Sequence, residues 1–294
     1  MRAQELTGDP RMTALRLALA AGLVVTGPAS ALAECASDAR IAAYVSDWLA
    51  REPTEALGAG ASMEDALCTQ QKLVERLGFS RGAPVGHKAG LTSEAAQLRF
   101  EVSEPVRGQL LEEMLLEDGA RVPAAFGARP LFEADLLLVI GDAAVNEAKT
   151  VEEALAHIAA VRPFIELPDL AVAEGEPITG ATLTAGNVGA RLGVMGADVP
   201  IEDAEAMRVA LRDMIVRVRD SQDEMIAEAS GDAVLGHPVN SLLWLLEQGI
   251  TFEAGDLVSV GSIGPLMPPA KARGRATATY EGLPGDPSLT VIFE

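Results

Sequence analysis

The chain has 294 residues, 49% hydrophobic and 22% charged, an ordinary balance for a chain that buries a core, which excludes disorder as a description of the whole. Asp and Glu number 43 against 23 Lys and Arg, and the formal net charge of −20 repels the phosphates of nucleic acid. Two cysteines are too few for a disulfide scaffold or a cysteine-built zinc site, three histidines leave little room for a His-rich one, and no apolar run reaches the ~18 residues of a membrane span.

The first residues read as an address. Arg2, Arg11 and Arg16 precede an apolar stretch at 17–25, followed by Gly27, Pro28 and the small-residue run 29–33. A basic segment, a short apolar segment and an A-x-A pattern predict a secretory signal cleaved after Ala33, and an exported, periplasmic protein. Met12 is an alternative start. Glu34 stands before Cys35, where lipid attachment needs a small residue, so a soluble protein is expected rather than a lipoprotein. In an oxidising compartment Cys35 and Cys68 are expected to pair; the alternative is two unrelated thiols. The expected division is a signal at 1–33, an N-terminal helical segment at 34–80 and a catalytic domain at 81–294.

Residues 37–51 place Ile41, Tyr44, Val45, Trp48 and Leu49 on one helical face, with Pro53 as the stop. Ser62, with Asp65 three residues on, starts a second helix that Gly78 ends. From about residue 80 short apolar runs alternate with Gly- and Pro-rich turns. Residues 136–140 read as a strand too apolar to be half-exposed. Thr150 with Glu153 caps a helix closed by Pro163. Residues 204–219 read as one amphipathic helix, with Met207, Leu211, Ile215 and Val218 on its stripe. Residues 241–248 form a short apolar helix ended by Gly249; 257–260, 276–280 and 289–293 are strands. This mixture lacks strict βαβ alternation and predicts an α+β domain with an irregular sheet. The G-x-G-x-x-G, P-loop, G-x-S-x-G and H-E-x-x-H motifs are missing.

Several segments can carry chemistry. Glu133 and Asp135, two apart on an extended segment, share a face and lead into an apolar strand, where acids are costly to bury unless paired or bound to a cation. Glu166 is a third acid among apolar residues. Three carboxylates without Cys or His suit a hard cation such as Mg²⁺ or Mn²⁺; the plainer reading is solvated strand ends. Lys88 lies between Gly86 and Gly90, where backbone can approach a ligand closely, though a lone Lys there is more often a surface residue. His237 before Pro238 reads as a turn residue. Gly261-Ser262 at a strand end offers an N–H and a hydroxyl to a ligand carboxylate.

In this order the segments resemble the 2-keto-4-pentenoate hydratase group of the fumarylacetoacetate hydrolase superfamily. Gly86-His87-Lys88-Ala89-Gly90-Leu91-Thr92-Ser93 resembles its G-Y-K-x-G-L-T-S, and Pro105-Val106-Arg107-Gly108-Gln109-Leu110 with Met114 its P-x-x-G-x-L…M. Glu133-x-Asp135 resembles the E-x-E metal pair, and Glu166 falls at the third metal carboxylate. Thr184-Ala185-Gly186-Asn187 with Leu192-Gly193-Val194-Met195-Gly196 resembles D-N…V-L-G, and Leu235-Gly236-His237-Pro238…Trp244 and Gly255-Asp256…Gly261-Ser262 its C-terminal signatures. The likeness runs from about residue 40 to the C-terminus. Asp135 stands for a Glu, His87 for an aromatic, and Gly186 for an Asp.

The resemblance implies a mixed β-sandwich or roll of the fumarylacetoacetate hydrolase C-terminal-domain type, preceded by the helical segment. It implies Mg²⁺ or Mn²⁺ on Glu133, Asp135 and Glu166. It also implies a small 2-oxo or 2-hydroxydienoic acid as substrate and a homo-oligomer of at least two copies. Lys88 is then the proton shuttle or charge partner, with Asn187 and Ser262 positioning carboxylate or water. The expected reaction is hydration of a 2-hydroxy-2,4-dienoate in aromatic catabolism. Decarboxylation of a 2-oxo diacid of the 4-oxalocrotonate type shares the same site. Carbon–carbon hydrolysis needs a water-activating base, for which His87 is a conceivable substitute. A non-catalytic periplasmic binder of small 2-oxo acids is the reading outside enzymes. Export is itself a departure, since aromatic degradation is expected inside the cell.

Overall fold

The computed structural model describes residues 34–294, so the signal reading of residues 1–33 lies outside the described residues. Helix α1 (Asp38–Ala50) starts at Ser37, whose hydroxyl accepts from the Arg40 N–H, and buries Ile41, Tyr44, Val45 and Trp48. Leu49, expected on that stripe, is 43% exposed. Helix α2 (Met63–Arg81) opens with a complete capping box between Ser62 and Asp65. It runs through Gly78, its expected end, because the first positive φ comes at Gly82 (79°). Cys35 and Cys68 are disulfide-bonded, their Cα atoms 5.3 Å apart, which ties the chain ahead of α1 to α2.

Thirteen strands follow among the described residues: β1 (Pro84–Gly90), β2 (Val106–Leu111), β3 (Leu115–Glu117), β4 (Arg121–Val122), β5 (Glu133–Ile140), β6 (Ile158–Leu167), β7 (Leu192–Met195), β8 (Val199–Pro200), β9 (Ile215–Arg219), β10 (Met225–Ser230), β11 (Leu257–Ser259), β12 (Arg275–Glu281) and β13 (Ser288–Phe293). Helices α3 (Glu94–Arg99), α4 (Val151–Leu155), α5 (Gly180–Ala185), α6 (Ala204–Asp213) and α7 (Asn240–Glu247) lie between them. The larger sheet runs β2-β1-β11-β5-β6-β7-β3, with β8 also on β6; the smaller runs β10-β9-β12-β13-β4. Both are mixed: β1–β11, β3–β7 and β4–β13 pair parallel. In the larger sheet the two edge strands, β2 and β3, are separated in the chain only by the single turn Glu112–Met114. Joining opposite edges through so short a turn requires the sheet to curl into a roll.

Two expected elements come out differently. The 204–219 stretch splits into α6 and β9, because from Ile215 the burial period becomes two: Val216 and Val218 are buried, Arg217 and Arg219 are not. Val218 fits both periods, which is why the stripe looked continuous. The helix after Thr150 ends at Leu155, and Pro163 sits inside β6 instead of closing it. On one side of β6, β8 pairs with Ala160 and Val161 and β7 with Phe164 to Leu167, so the proline falls in the gap between two ladders.

Alternation along β5 divides the interior. Ala134, Leu136, Leu138 and Ile140 enter the main core, where Val216, Val218, Ala276, Ala278, Leu289 and Val291 of the second sheet meet them. Each fully buried Leu there contributes about 1.5–3 kcal/mol. Leu137 points to the opposite face and packs with Leu110, Phe164 and Leu257. Glu133 and Asp135 share that opposite face. A separate apolar cluster seats α1 and α2 against Leu111, Met114, Ala171 and Ala185.

Candidate metal centre

Two strands, β5 and β6, bring the acids together. Register pairs Glu133 of β5 directly with Glu166 of β6, and Asp135 lies one pleat further along. Their exposures are 5%, 0% and 1%. One carboxylate oxygen from each lies within 4.8 Å of the others. Lys88, 3% exposed, reaches in from β1 and pairs with Glu166 Oε1; its Nζ also donates to the Val188 carbonyl at 3.2 Å. When all four groups are ionised, the three carboxylates and one ammonium leave two negative charges uncancelled.

The acids differ in how they are held. Asp135 is tied on both oxygens: Ser259 Oγ donates to Oδ2 at 2.5 Å, and the N–H groups of Gly261 and Leu136 donate to Oδ1 at 3.0 and 2.6 Å. Glu133 Oε2 and Glu166 Oε2 are buried without any hydrogen-bond partner. Such orphaned acceptors are expensive unless something positive meets them. Burial is the main force raising the Glu133 carboxyl well above the usual range, and the neighbouring charge of Glu166 adds to it. Burial first, and Glu166 second, push Asp135 up to about 7 against the opposing bonds from Ser259 and Leu136. Hard oxygen donors, two orphaned oxygens and a surplus of two negative charges fit a divalent cation.

The scaffold braces this cluster. Tyr280 of β12 places its hydroxyl between β5 and β6, against the carbonyls of Asp135 at 2.5 Å and Phe164 at 2.8 Å. Behind Glu166, Asp169 accepts from the Ala128 and Arg129 N–H groups and pairs with buried Arg191 at 3.2 Å. Arg191 in turn donates to the carbonyls of Trp48 and Phe126 and lies 4.2 Å from the Trp48 ring centre. Sequence pattern assigns no role to Ser259, Tyr280, Asp169 or Arg191: a buried Arg and Asp are visible there only as charges, and Ser259 stands in the same segment as Ser262 with nothing to set it apart.

The other expected site residues sort themselves. Ser262 stands close enough to Glu133 to oppose the rise in its pKa, and its hydroxyl donates to the Gly264 carbonyl at 2.6 Å. Asn187 directs its amide to the β2 backbone, accepting from Gln109 N–H at 2.8 Å and donating to Gln109 O at 2.9 Å. His87, as the neighbour of Lys88 on a strand, faces away from the acids; it meets Phe252 edge-on at 5.7 Å. It is not placed to activate water at the carboxylates. His237 is a turn residue, its ring bonded to the Val239 N–H and the Arg208 carbonyl.

The comparisons with known proteins agree with this geometry. The chain is 29% identical over 270 residues to 2-keto-4-pentenoate hydratase 1 of Dechloromonas aromatica (strain RCB), covering 90% of this chain and 96% of that one. It is 30% identical over 220 residues to 2-oxo-hept-4-ene-1,7-dioate hydratase of Escherichia coli, covering 71% and 80%. The structure of 4-oxalocrotonate decarboxylase from Pseudomonas putida G7, complexed with magnesium and adipate, superposes with a TM-score of 0.76 at 25% identity, covering 87% of this chain and 96% of that one. The fumarylacetoacetate (FAA) hydrolase C-terminal family matches residues 86–284, which take in Lys88, all three acids and Ser262. With its curled mixed sheet and its acids in register on β5 and β6, the chain belongs to that family.

Proposed function

We propose that this protein is a divalent-metal-dependent hydro-lyase that hydrates a 2-hydroxy-2,4-dienoate of the 2-keto-4-pentenoate type to a 4-hydroxy-2-oxo acid. The observation that carries this reading is the buried Glu133–Glu166 register pair beside Lys88, in a chain that aligns over 90% of its length with a hydratase. Glu133, Asp135 and Glu166 hold the cation, read as Mg²⁺ or Mn²⁺ from the all-oxygen donor set. When bound, the cation supplies fixed positive charge that favours negative charge on the substrate's 2-oxygen.

The chain's own residues do the rest. Lys88 Nζ, held between Glu166 and the Val188 carbonyl, is the mobile proton donor of the site. As an ammonium it gives a proton to C5, and the amine so formed takes up the proton of the substrate's 2-hydroxyl, turning the dienol into the conjugated 2-oxo-3-enoate and restoring the ammonium. Water then adds its oxygen at C4 and a proton at C3, with no change of oxidation level. Ser262, beside Glu133, orients the substrate carboxylate or the water. Decarboxylation of a 2-oxo diacid is the second reading; it needs the same charge at the 2-oxygen, and the likeness to 4-oxalocrotonate decarboxylase favours it. We also read the protein as exported and oligomeric. The signal pattern at 1–33 and the Cys35–Cys68 bond support export; family analogy supports the oligomer.

The test mixes the purified protein with Mg²⁺ and 2-hydroxypenta-2,4-dienoate and follows loss of the diene's ultraviolet absorbance. In parallel, 4-oxalocrotonate is supplied and released CO₂ is trapped. Metal-dependent diene loss that EDTA stops, without CO₂ from the diacid, is the expected result. CO₂ release alone would replace hydration by decarboxylation. A folded, metal-loaded protein inert toward both would overturn the enzyme reading in favour of a binder.

A further inference from the structure

The Lys88 amine must be aimed as well as present, and the group that aims it is the Val188 carbonyl, 3.2 Å from Nζ. That carbonyl belongs to an unusual turn. Asn187, Val188 and Gly189 are consecutive left-handed residues, with φ of 56°, 52° and 67°. Glycine adopts this conformation freely and asparagine tolerates it, but for β-branched valine it is an outlier that persists only where the surroundings impose it.

The surroundings here are specific. Asn187 closes a two-way amide pair with the backbone of Gln109, at 2.8 and 2.9 Å. Gln109 follows Gly108, which is the register partner of Lys88 across β1 and β2. Gly108 has no room for a side chain: a Cβ there would stand 2.9 Å from the Asn187 carbonyl and 3.0 Å from Lys88 Cγ. On the other side, the Gly189 carbonyl accepts from the Asp169 N–H at 2.9 Å, which ties the turn to the segment just after Glu166. The turn is thus wedged between the strand that carries Lys88's register partner and the segment that follows one of the acids.

We propose that Asn187 is a positioning residue: through its amide pair with Gln109 it holds the Val188 carbonyl against Lys88 Nζ and so sets where the amine stands relative to the acids. This rests on the reading above that Lys88 moves the proton. Both hydrogen bonds of the Asn187 amide go to the Gln109 backbone and neither to Lys88 or the acids.

The variant that separates pinning from backbone conformation is Asn187→Gly. Glycine keeps the left-handed φ at no steric cost but removes the amide. The expected result is a kcat lower by roughly 10–100-fold, the scale of a small misplacement of a catalytic group, with KM within about threefold. Mn²⁺ affinity, read by calorimetry on the same protein, stays at the wild-type value because the carboxylates are untouched. A wild-type kcat in Asn187→Gly overturns the proposal. So does a parallel loss of Mn²⁺ affinity and substrate affinity, which a merely structural role predicts. If Asn187→Gly does not fold, Asn187→Asp carries the test: it tolerates the left-handed φ and keeps an acceptor for the Gln109 N–H but loses the donor to the Gln109 carbonyl, so a lowered kcat is expected and a wild-type kcat overturns the proposal. Lys88→Met separates the two layers. An inactive Lys88→Met beside a fully active Asn187→Gly sinks this proposal alone, whereas a fully active Lys88→Met sinks the role given to Lys88 as well.

Discussion

Glu133 and Glu166 face each other as one register pair across β5 and β6, both buried and each with an oxygen that accepts no hydrogen bond. Two like charges so placed repel, and burial penalises both. The arrangement is unfavourable for a bare fold and favourable for a cation site. It therefore links metal binding to pH.

The direction of that link follows from Asp135 and Glu133, whose carboxyls are raised, the first to about 7. In the metal-free protein they hold protons at pH values where the unfolded chain has already lost them. The folded state thus binds more protons, for Asp135 between about pH 4 and 7, and its contribution to stability falls as pH rises through that window, with Glu133 acting in the same direction. A divalent cation offsets the loss by meeting the ionised acids. The gain in melting temperature on adding Mg²⁺ should be larger at pH 8 than at pH 5. Equal gains at the two pH values would contradict the assignment.

Replacing Lys88 with Met should separate binding from chemistry. The ammonium competes with a cation for Glu166, so its loss should leave Mn²⁺ affinity unchanged or higher. Turnover should fall by roughly 10²–10⁴-fold, the usual contribution of a positioned proton-transfer group. Calorimetry and diene loss on the same preparation check both halves.

Arg191 joins α1 to the segment behind the metal centre through Trp48, Phe126 and Asp169. Arg191→Ala leaves Asp169 buried without its partner, a change worth about 3–5 kcal/mol. Urea unfolding should show that loss. A variant as stable as wild type would mean the pair contributes nothing net.

The Cys35–Cys68 bond closes a loop of 33 residues of sequence separation. By the loop-entropy relation its removal in a Cys35→Ser, Cys68→Ser protein should cost roughly 3–4 kcal/mol. Intact-mass analysis of the protein purified without reductant should show two hydrogens missing. Quantitative reaction of both thiols with an alkylating agent would contradict the pairing.

How much of this was visible in the sequence depends on how local the signal is. The helix starts at Ser37 and Ser62 are local, and both formed as read. The acids leading into β5 stood out because an apolar strand rarely begins with two carboxylates. That Glu166 sits opposite Glu133 is a matter of register, which composition cannot supply and family resemblance could. The donors to Asp135 come from Ser259 and Gly261, over 120 residues further along the chain, and pattern reading had no access to them. The pairing of the Asn187 amide with the Gln109 backbone, 78 residues away, is likewise not announced by its motif. The Gly-rich run around Lys88 does not read as a strand in sequence, and only once β1 is seen does alternation send His87, the neighbour of Lys88, to the other face.

The central claim is that Glu133, Asp135 and Glu166 form one cation site. The most direct measurement is Mn²⁺ titration of the metal-free protein by calorimetry, beside Glu133→Gln and Glu166→Gln variants whose fold is checked by circular dichroism. The account predicts one site per chain in the wild type and binding weakened by at least about 100-fold in each variant, beyond what losing an outer-shell partner costs. Wild-type affinity in folded Glu133→Gln would contradict it.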